Sequence, residues 1–210
     1  MSFKKKLIVP VLTATLMATF VLNSFAGEKE EFNTSGASAN LLFAAEGGWR
    51  ATTDDLGSSF ETREQLIQDS TAKVTFTMAK KGAPDEWPYV ELICALGRDI
   101  DGVHGLEITY KCDKPLTIKL SQTEFGYYGN QTYSHYEFIL PASEEDWNTE
   151  RVKISQFRQP SWAPAKSREI PLKLQNVEDV YLVPNLNYNT GDKGTLEVKN
   201  LILYGFETAE

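Results

Sequence analysis

Between Phe125 and Tyr136 the chain carries Phe125, Tyr127, Tyr128, Tyr133 and Tyr136 together with Gln131 and His135, interleaved with Gly126, Gly129 and Asn130. Glycine and asparagine at these spacings mark a loop with strand ends rather than a core run. Aromatic rings beside amide and imidazole groups suit a particular ligand chemistry. A pyranose ring lays a patch of C–H bonds on an aromatic face, while its hydroxyls need planar polar partners. Trp87 and Tyr89 add aromatics at the start of another strand, and Trp162 sits between Pro160 and Pro164 on a proline-stiffened loop. Each of these rings is either a plug for the core or a platform for a ligand. As platforms, Trp87, Tyr89, Tyr127, Tyr128, Tyr133, Tyr136 and Trp162 stack on a sugar, with Gln131 and His135 as hydrogen-bonding partners.

Other chemistries are weaker or absent. The run Thr53-Asp54-Asp55-Leu56-Gly57 is either an acidic turn or the start of a calcium site, since calcium takes six to eight oxygens, several from backbone. Glu144, Glu145, Asp146 and Glu150 flank Trp147 after Pro141-Ala142-Ser143 and read as a solvated turn, not as a glycosidase carboxylate pair. The sequence has no Gly-x-Ser-x-Gly elbow, no phosphate loop and no His-Glu-x-x-His, which argues against the common hydrolase and nucleotide chemistries. Two cysteines and two histidines, His104 and His135, make no zinc spacing. Cys94 and Cys112 each fall in the apolar phase of a strand-like run. They are either a disulfide or two buried reduced thiols.

The elements that must position these groups have a period of two. Val74-Phe76-Met78, Leu106-Ile108-Tyr110, Leu116-Ile118-Leu120 and Leu196-Val198 alternate with polar residues, as half-buried strands do. Further runs lie at 41–45, 58–63, 89–96, 134–141, 151–154, 179–183 and 201–206, separated by Gly, Pro and Asp turns. Only 63–69 and 154–157 read as short helical turns. About ten short strands predict an all-β sandwich or barrel, and in a two-sheet antiparallel sandwich one residue set faces the other sheet and the alternating polar set faces water.

Composition sets the outer bounds. The chain has 210 residues and a net charge of −8. Residues 1–26 combine Lys4, Lys5 and Lys6 with the apolar run 7–22 and small residues at Ser24 and Ala26, the pattern of a signal peptide cut before Gly27. Residues 27–38 are polar and expected to be disordered, and 39–210 form one domain. The acidic balance, which deepens on losing three lysines, argues against nucleic-acid binding. The expected location is outside the cytoplasm: periplasm, cell surface or medium.

Trp147-Asn148-Thr149-Glu150-Arg151-Val152-Lys153-Ile154-Ser155-Gln156-Phe157 reads as a Trp, a short charged strand and an anchoring Phe; Asn176–Leu182 and Gly194–Gly205 read as a closing strand pair, and Trp49–Gly57 as an opening segment. In these segments the chain resembles family 11 carbohydrate-binding modules and the related complex I intermediate-associated domains. The resemblance implies a galactose-binding-like jelly roll that binds β-glucan in a concave cleft without cleaving it. It places His135 on the strand whose histidine lines that cleft, Trp87 at an aromatic position of an earlier strand, and Trp162 within a residue of a loop tyrosine. It also implies a structural calcium, held either in the Asp54-Asp55 region or on the closing strand. The chain departs from the pattern near Pro184-Asn185, where a tyrosine is absent and Tyr188 of the next loop is the candidate to compensate; Asn185 is expected to supply a hydrogen bond. It departs again at Thr132, where an acid is expected. The expected partner is a polysaccharide. The alternatives are a scaffold joining an envelope or secreted enzyme complex, and a small glycan-active enzyme.

Overall fold

The computed structural model describes residues 37–45, 48–123, 134–143 and 146–206. These residues form eleven strands: β1 (Ala37–Asn40), β2 (Trp49–Thr53), β3 (Ser59–Gln68), β4 (Thr71–Met78), β5 (Val90–Ala95), β6 (Gly105–Cys112), β7 (Leu116–Gln122), β8 (Tyr136–Leu140), β9 (Asn148–Lys153), β10 (Val177–Pro184) and β11 (Asp192–Phe206). Among the described residues helix is limited to single turns, chiefly α1 (Leu41–Ala44) and α2 (Ala165–Arg168). The strands make two antiparallel sheets. One runs β3-β4-β11-β6-β9, with β1 pairing the far end of β11; the other runs β2-β5-β10-β7-β8.

The period-two residues fill the space between the sheets. Val74, Phe76, Leu92, Leu106, Ile108, Tyr110, Ile118, Leu120, Val180, Leu182, Leu196 and Val198 are all buried in one core. Such burial is the main stabilising term, about 25 cal/mol per Å² of apolar surface. Tyr110 carries the one hydroxyl in this set, and it donates to the Pro141 carbonyl at 2.7 Å.

Three local expectations change. The run 41–45 begins with the helical turn α1, because the Asn40 side chain accepts the Leu42 N–H and caps it. The segment 63–69 is not helical: residues 63–68 belong to β3, which reaches β4 through a two-residue turn at Asp69 and Ser70. Asp69 and Ser70 both have positive φ, as that hairpin geometry requires. The runs at Leu196-Val198 and 201–206 are one strand. A register shift between Val198 and Asn200 moves the inward phase from Leu196 and Val198 to Leu201 and Leu203. The 3-10 turn Ile154–Gln156 occurs where a helical turn was expected.

Cys94 lies on β5 of one sheet and Cys112 at the end of β6 of the other; both are buried free thiols. The disulfide alternative is therefore not the one adopted. Burial pushes the thiols up to about 12 and about 11, respectively.

Candidate functional site

The outer face of the β2-β5-β10-β7-β8 sheet is lined by the residues that alternate with its core. Strand register aligns them across all five strands. Arg50 pairs with Ile93, Ile93 with Tyr181, Tyr181 with Lys119, and Lys119 with Glu137. This row is the floor of a cleft of about 450 Å³. Thr52 and Glu91 extend the floor by the next outward pair of β2 and β5.

Two loops raise walls on this floor. Trp87, Pro88 and Tyr89 precede β5 on one side, and Pro160 and Trp162 stand on the other. Trp87 is 59% exposed and Trp162 71% exposed, values at which a ring contributes little to the core. Each wall is fastened from behind. Tyr89 is clamped by Asp54, whose Oδ2 accepts the Tyr89 N–H at 2.6 Å and whose own N–H reaches the Tyr89 carbonyl at 3.3 Å. Trp87 meets Tyr188 in a T-shaped contact with ring centroids 5.6 Å apart, and the Lys81 ammonium lies 3.1 Å from the Trp87 ring centroid. Trp87 lines the cleft, whereas Lys81 and Tyr188 do not.

The Trp162 loop is tied to β8 in two places. Glu137 and Arg158 exchange backbone hydrogen bonds at 2.8 and 3.0 Å. Buried Ser167 on α2 accepts the Ser134 N–H at 2.9 Å and donates to the Ser134 carbonyl at 3.2 Å, while Gln159 Nε2 holds the Ser167 carbonyl.

The charges on the floor are mostly internally matched. Lys119 Nζ meets Glu91 at 3.2 Å and Arg50 meets Asp179 at 3.4 Å. His135 stacks on Tyr181 with ring centroids 5.3 Å apart. Burial, reinforced by the Lys119 charge, pushes the His135 imidazole down to about 4, so it is neutral near pH 7. Burial raises the Tyr181 phenol to about 12, with Glu91 and Asp179 adding to it. Burial also raises the Glu137 carboxyl, partly offset by Lys119. The arrangement offers rigid apolar faces above fixed donors and acceptors, which is binding geometry. Two carboxylates line the cleft: Glu91 on β5, which is ion-paired to Lys119, and Glu137 on β8.

Of the residues expected from sequence, Trp87, Tyr89, His135 and Trp162 meet in this cleft. Tyr136 does not. It points to the other side of β8, packs against the core with Phe138, and donates its hydroxyl to the Ile170 carbonyl at 3.0 Å. The phase was readable: Tyr136 alternates with Phe138 and Leu140, whereas His135 alternates with Glu137. Asn185 lies past the end of β10 outside the cleft lining, and its Oδ1 accepts the Thr117 hydroxyl at 2.8 Å. Tyr127, Tyr128, Gln131 and Tyr133 lie outside the described residues.

Asp54 uses both carboxylate oxygens on backbone donors, with Oδ1 taking Leu56 N–H at 2.6 Å and Ser58 N–H at 3.3 Å. Burial works against its charge, but these hydrogen bonds prevail and hold its carboxyl below the usual range. Asp54 thus positions the Tyr89 wall, with Asp55 beside it on the same turn. Among the described residues no cluster of three or more His, Cys, Asp or Glu forms a metal cage. Sequence reasoning missed Arg50, Glu91, Lys119, Glu137 and Tyr181, the polar phase it assigned to bulk water.

No protein-family model matches this chain, and no curated protein matches it in sequence. Solved structures do match its shape, and they define a class: the fold is that of carbohydrate-binding modules of the β-jelly-roll type. Among them is a family 11 carbohydrate-binding module from Clostridium thermocellum in complex with a β-1,3-1,4-mixed-linked tetrasaccharide. It has a TM-score of 0.56 and 16% identity, covering 83% of this chain and 100% of that one. Another is the family 11 module of a cellulosomal cellulase of the same organism, with a TM-score of 0.54, 16% identity and the same coverage. The resemblance noted in the sequence and the three-dimensional fold therefore agree.

Proposed function

We propose that this chain is an exported, non-catalytic carbohydrate-binding module that holds a β-glucan-class polysaccharide in the cleft on the β2-β5-β10-β7-β8 sheet. The observation that carries the reading is the combination of exposed aromatic walls, Trp87, Tyr89 and Trp162, with a floor of side chains fixed by internal ion pairs. An elongated sugar chain stacks on the walls and hydrogen-bonds to the floor. The tetrasaccharide bound by a module of the same fold supports the same ligand class here. Affinity should be modest, because an open cleft must order a flexible chain and gives up part of its contact energy in doing so.

The test is native affinity electrophoresis through gels containing mixed-linkage β-glucan, xylan, xyloglucan or no polysaccharide. The protein should be retarded by β-glucan. Trp162→Ala should abolish the retardation with the melting temperature unchanged, since that ring is 71% exposed. Absence of retardation in every gel would refute the reading and favour a protein partner for this face.

A further inference from the structure

Most polar groups of the cleft are already tied within the protein. Arg50 is held by Asp179, Lys119 by Glu91, and the Ser134 backbone by Ser167. Glu137 is not among them. It is partly buried and lines the cleft, yet its carboxylate has no hydrogen-bond or ion-pair partner among the described residues. Its two natural partners are engaged elsewhere. Lys119 lies directly across the strand pair, but its ammonium goes to Glu91 at 3.2 Å. Arg158 is bridged to Glu137 through the backbone, but its guanidinium turns back onto the carbonyls of Ser155 and Phe157.

A carboxylate only accepts hydrogen bonds. The Glu137 carboxylate opens on the cleft with no protein donor among the described residues committed to it, so a ligand's donors can take the place of water there. The raised Glu137 carboxyl reflects its burial. Sugar hydroxyls are suitable donors, and their bonds to a charged acceptor are about twice as strong as neutral ones. A sugar acid would instead bring a second negative charge into the half-dry site, on a chain whose net charge is already −8.

Resting on the carbohydrate-binding reading above, we propose that Glu137 is the specificity-determining residue of the cleft: its carboxylate accepts hydroxyl hydrogen bonds from a neutral polysaccharide and repels uronic-acid chains. Glu137→Gln keeps the shape and removes the charge. It should fold at least as stably as wild type, because a half-buried charge is relieved.

Affinity electrophoresis in mixed-linkage β-glucan and in polygalacturonate reads the effect. Wild type should be retarded by the glucan and ignored by polygalacturonate. Glu137→Gln should lose roughly tenfold in glucan affinity, the order expected from the free-energy difference between a charge-assisted and a neutral hydrogen bond. Glu137→Lys should be retarded by polygalacturonate. Wild-type glucan affinity in Glu137→Gln overturns the proposal, and so does retardation of wild type by polygalacturonate equal to that by glucan. If no neutral glucan retards wild type at all, the binding reading itself fails, an outcome distinct from a glucan binder indifferent to Glu137.

Discussion

Acidification should destabilise this protein through His135, by an amount that follows from its position in the cleft floor. Burial against Tyr181, with Lys119 nearby, holds the imidazole down at about 4, against 6.5 for an ordinary histidine. The sign follows from proton binding. Below pH 6.5 the unfolded chain takes up a proton at this residue, while the folded chain refuses it until near pH 4. Stability is therefore full above the unfolded value and is lost as the pH falls through that window.

Each pH unit crossed costs about 1.4 kcal/mol, so the loss is about 2 kcal/mol by pH 5 and about 3 kcal/mol by pH 4. Glu137, whose carboxyl is raised in the fold, contributes in the opposite sense. The comparison must therefore be a difference. Urea midpoints of wild type and His135→Gln are measured at about pH 7.5 and pH 5, with the slope of unfolding checked for constancy. Wild type should lose about 2 kcal/mol more than the variant. Equal losses, or a His135 ring resonance titrating near 6.5 in the folded protein, would refute the argument.

Two further outcomes separate core from cleft. Tyr136→Ala should cost about 2–4 kcal/mol, because it leaves a hole beside Phe138 and strips the Ile170 carbonyl of its donor, while the folded fraction keeps its glucan retardation. A strong loss of binding with unchanged stability would return Tyr136 to the cleft. Cys94 and Cys112, pushed up to about 12 and about 11, should ignore a disulfide reagent until urea unfolds the chain, and dithiothreitol should leave the melting temperature where it was. Rapid native modification of two thiols would show that the sandwich is looser than its burial implies.

Much of the architecture was legible because strand geometry is local. A side-chain period of two needs no knowledge of neighbours, so Val74-Phe76-Met78, Leu106-Ile108-Tyr110 and Leu116-Ile118-Leu120 could be assigned to a core face, and all nine side chains are buried. The errors arose where a local signal was outweighed. Asp69 and Ser70 adopt positive φ without a glycine, so the β3–β4 turn resembled the end of a helix. Tyr136 was judged by the company of its loop rather than by its phase with Phe138 and Leu140.

The walls and the floor of the cleft differ in the same way. Trp87 and Trp162 could be singled out because a large ring on a proline-bound, polar stretch has little core within reach, and that is a property of a few adjacent residues. The floor is not such a property. Arg50, Ile93, Tyr181, Lys119 and Glu137 come from five strands whose spatial order, β2-β5-β10-β7-β8, differs from their order along the chain. Read singly, each polar member is an outward residue on a half-buried strand, with no sign distinguishing it from one facing bulk water. Hydrogen bonding between strands distant in sequence sets the register, and only the register brings these side chains into one row. Sequence by itself thus determined the strands, their buried faces and the exposed rings. Tertiary structure decided which polar residues share a cleft, which charges cancel there, and that Glu137 is left without a partner among the described residues.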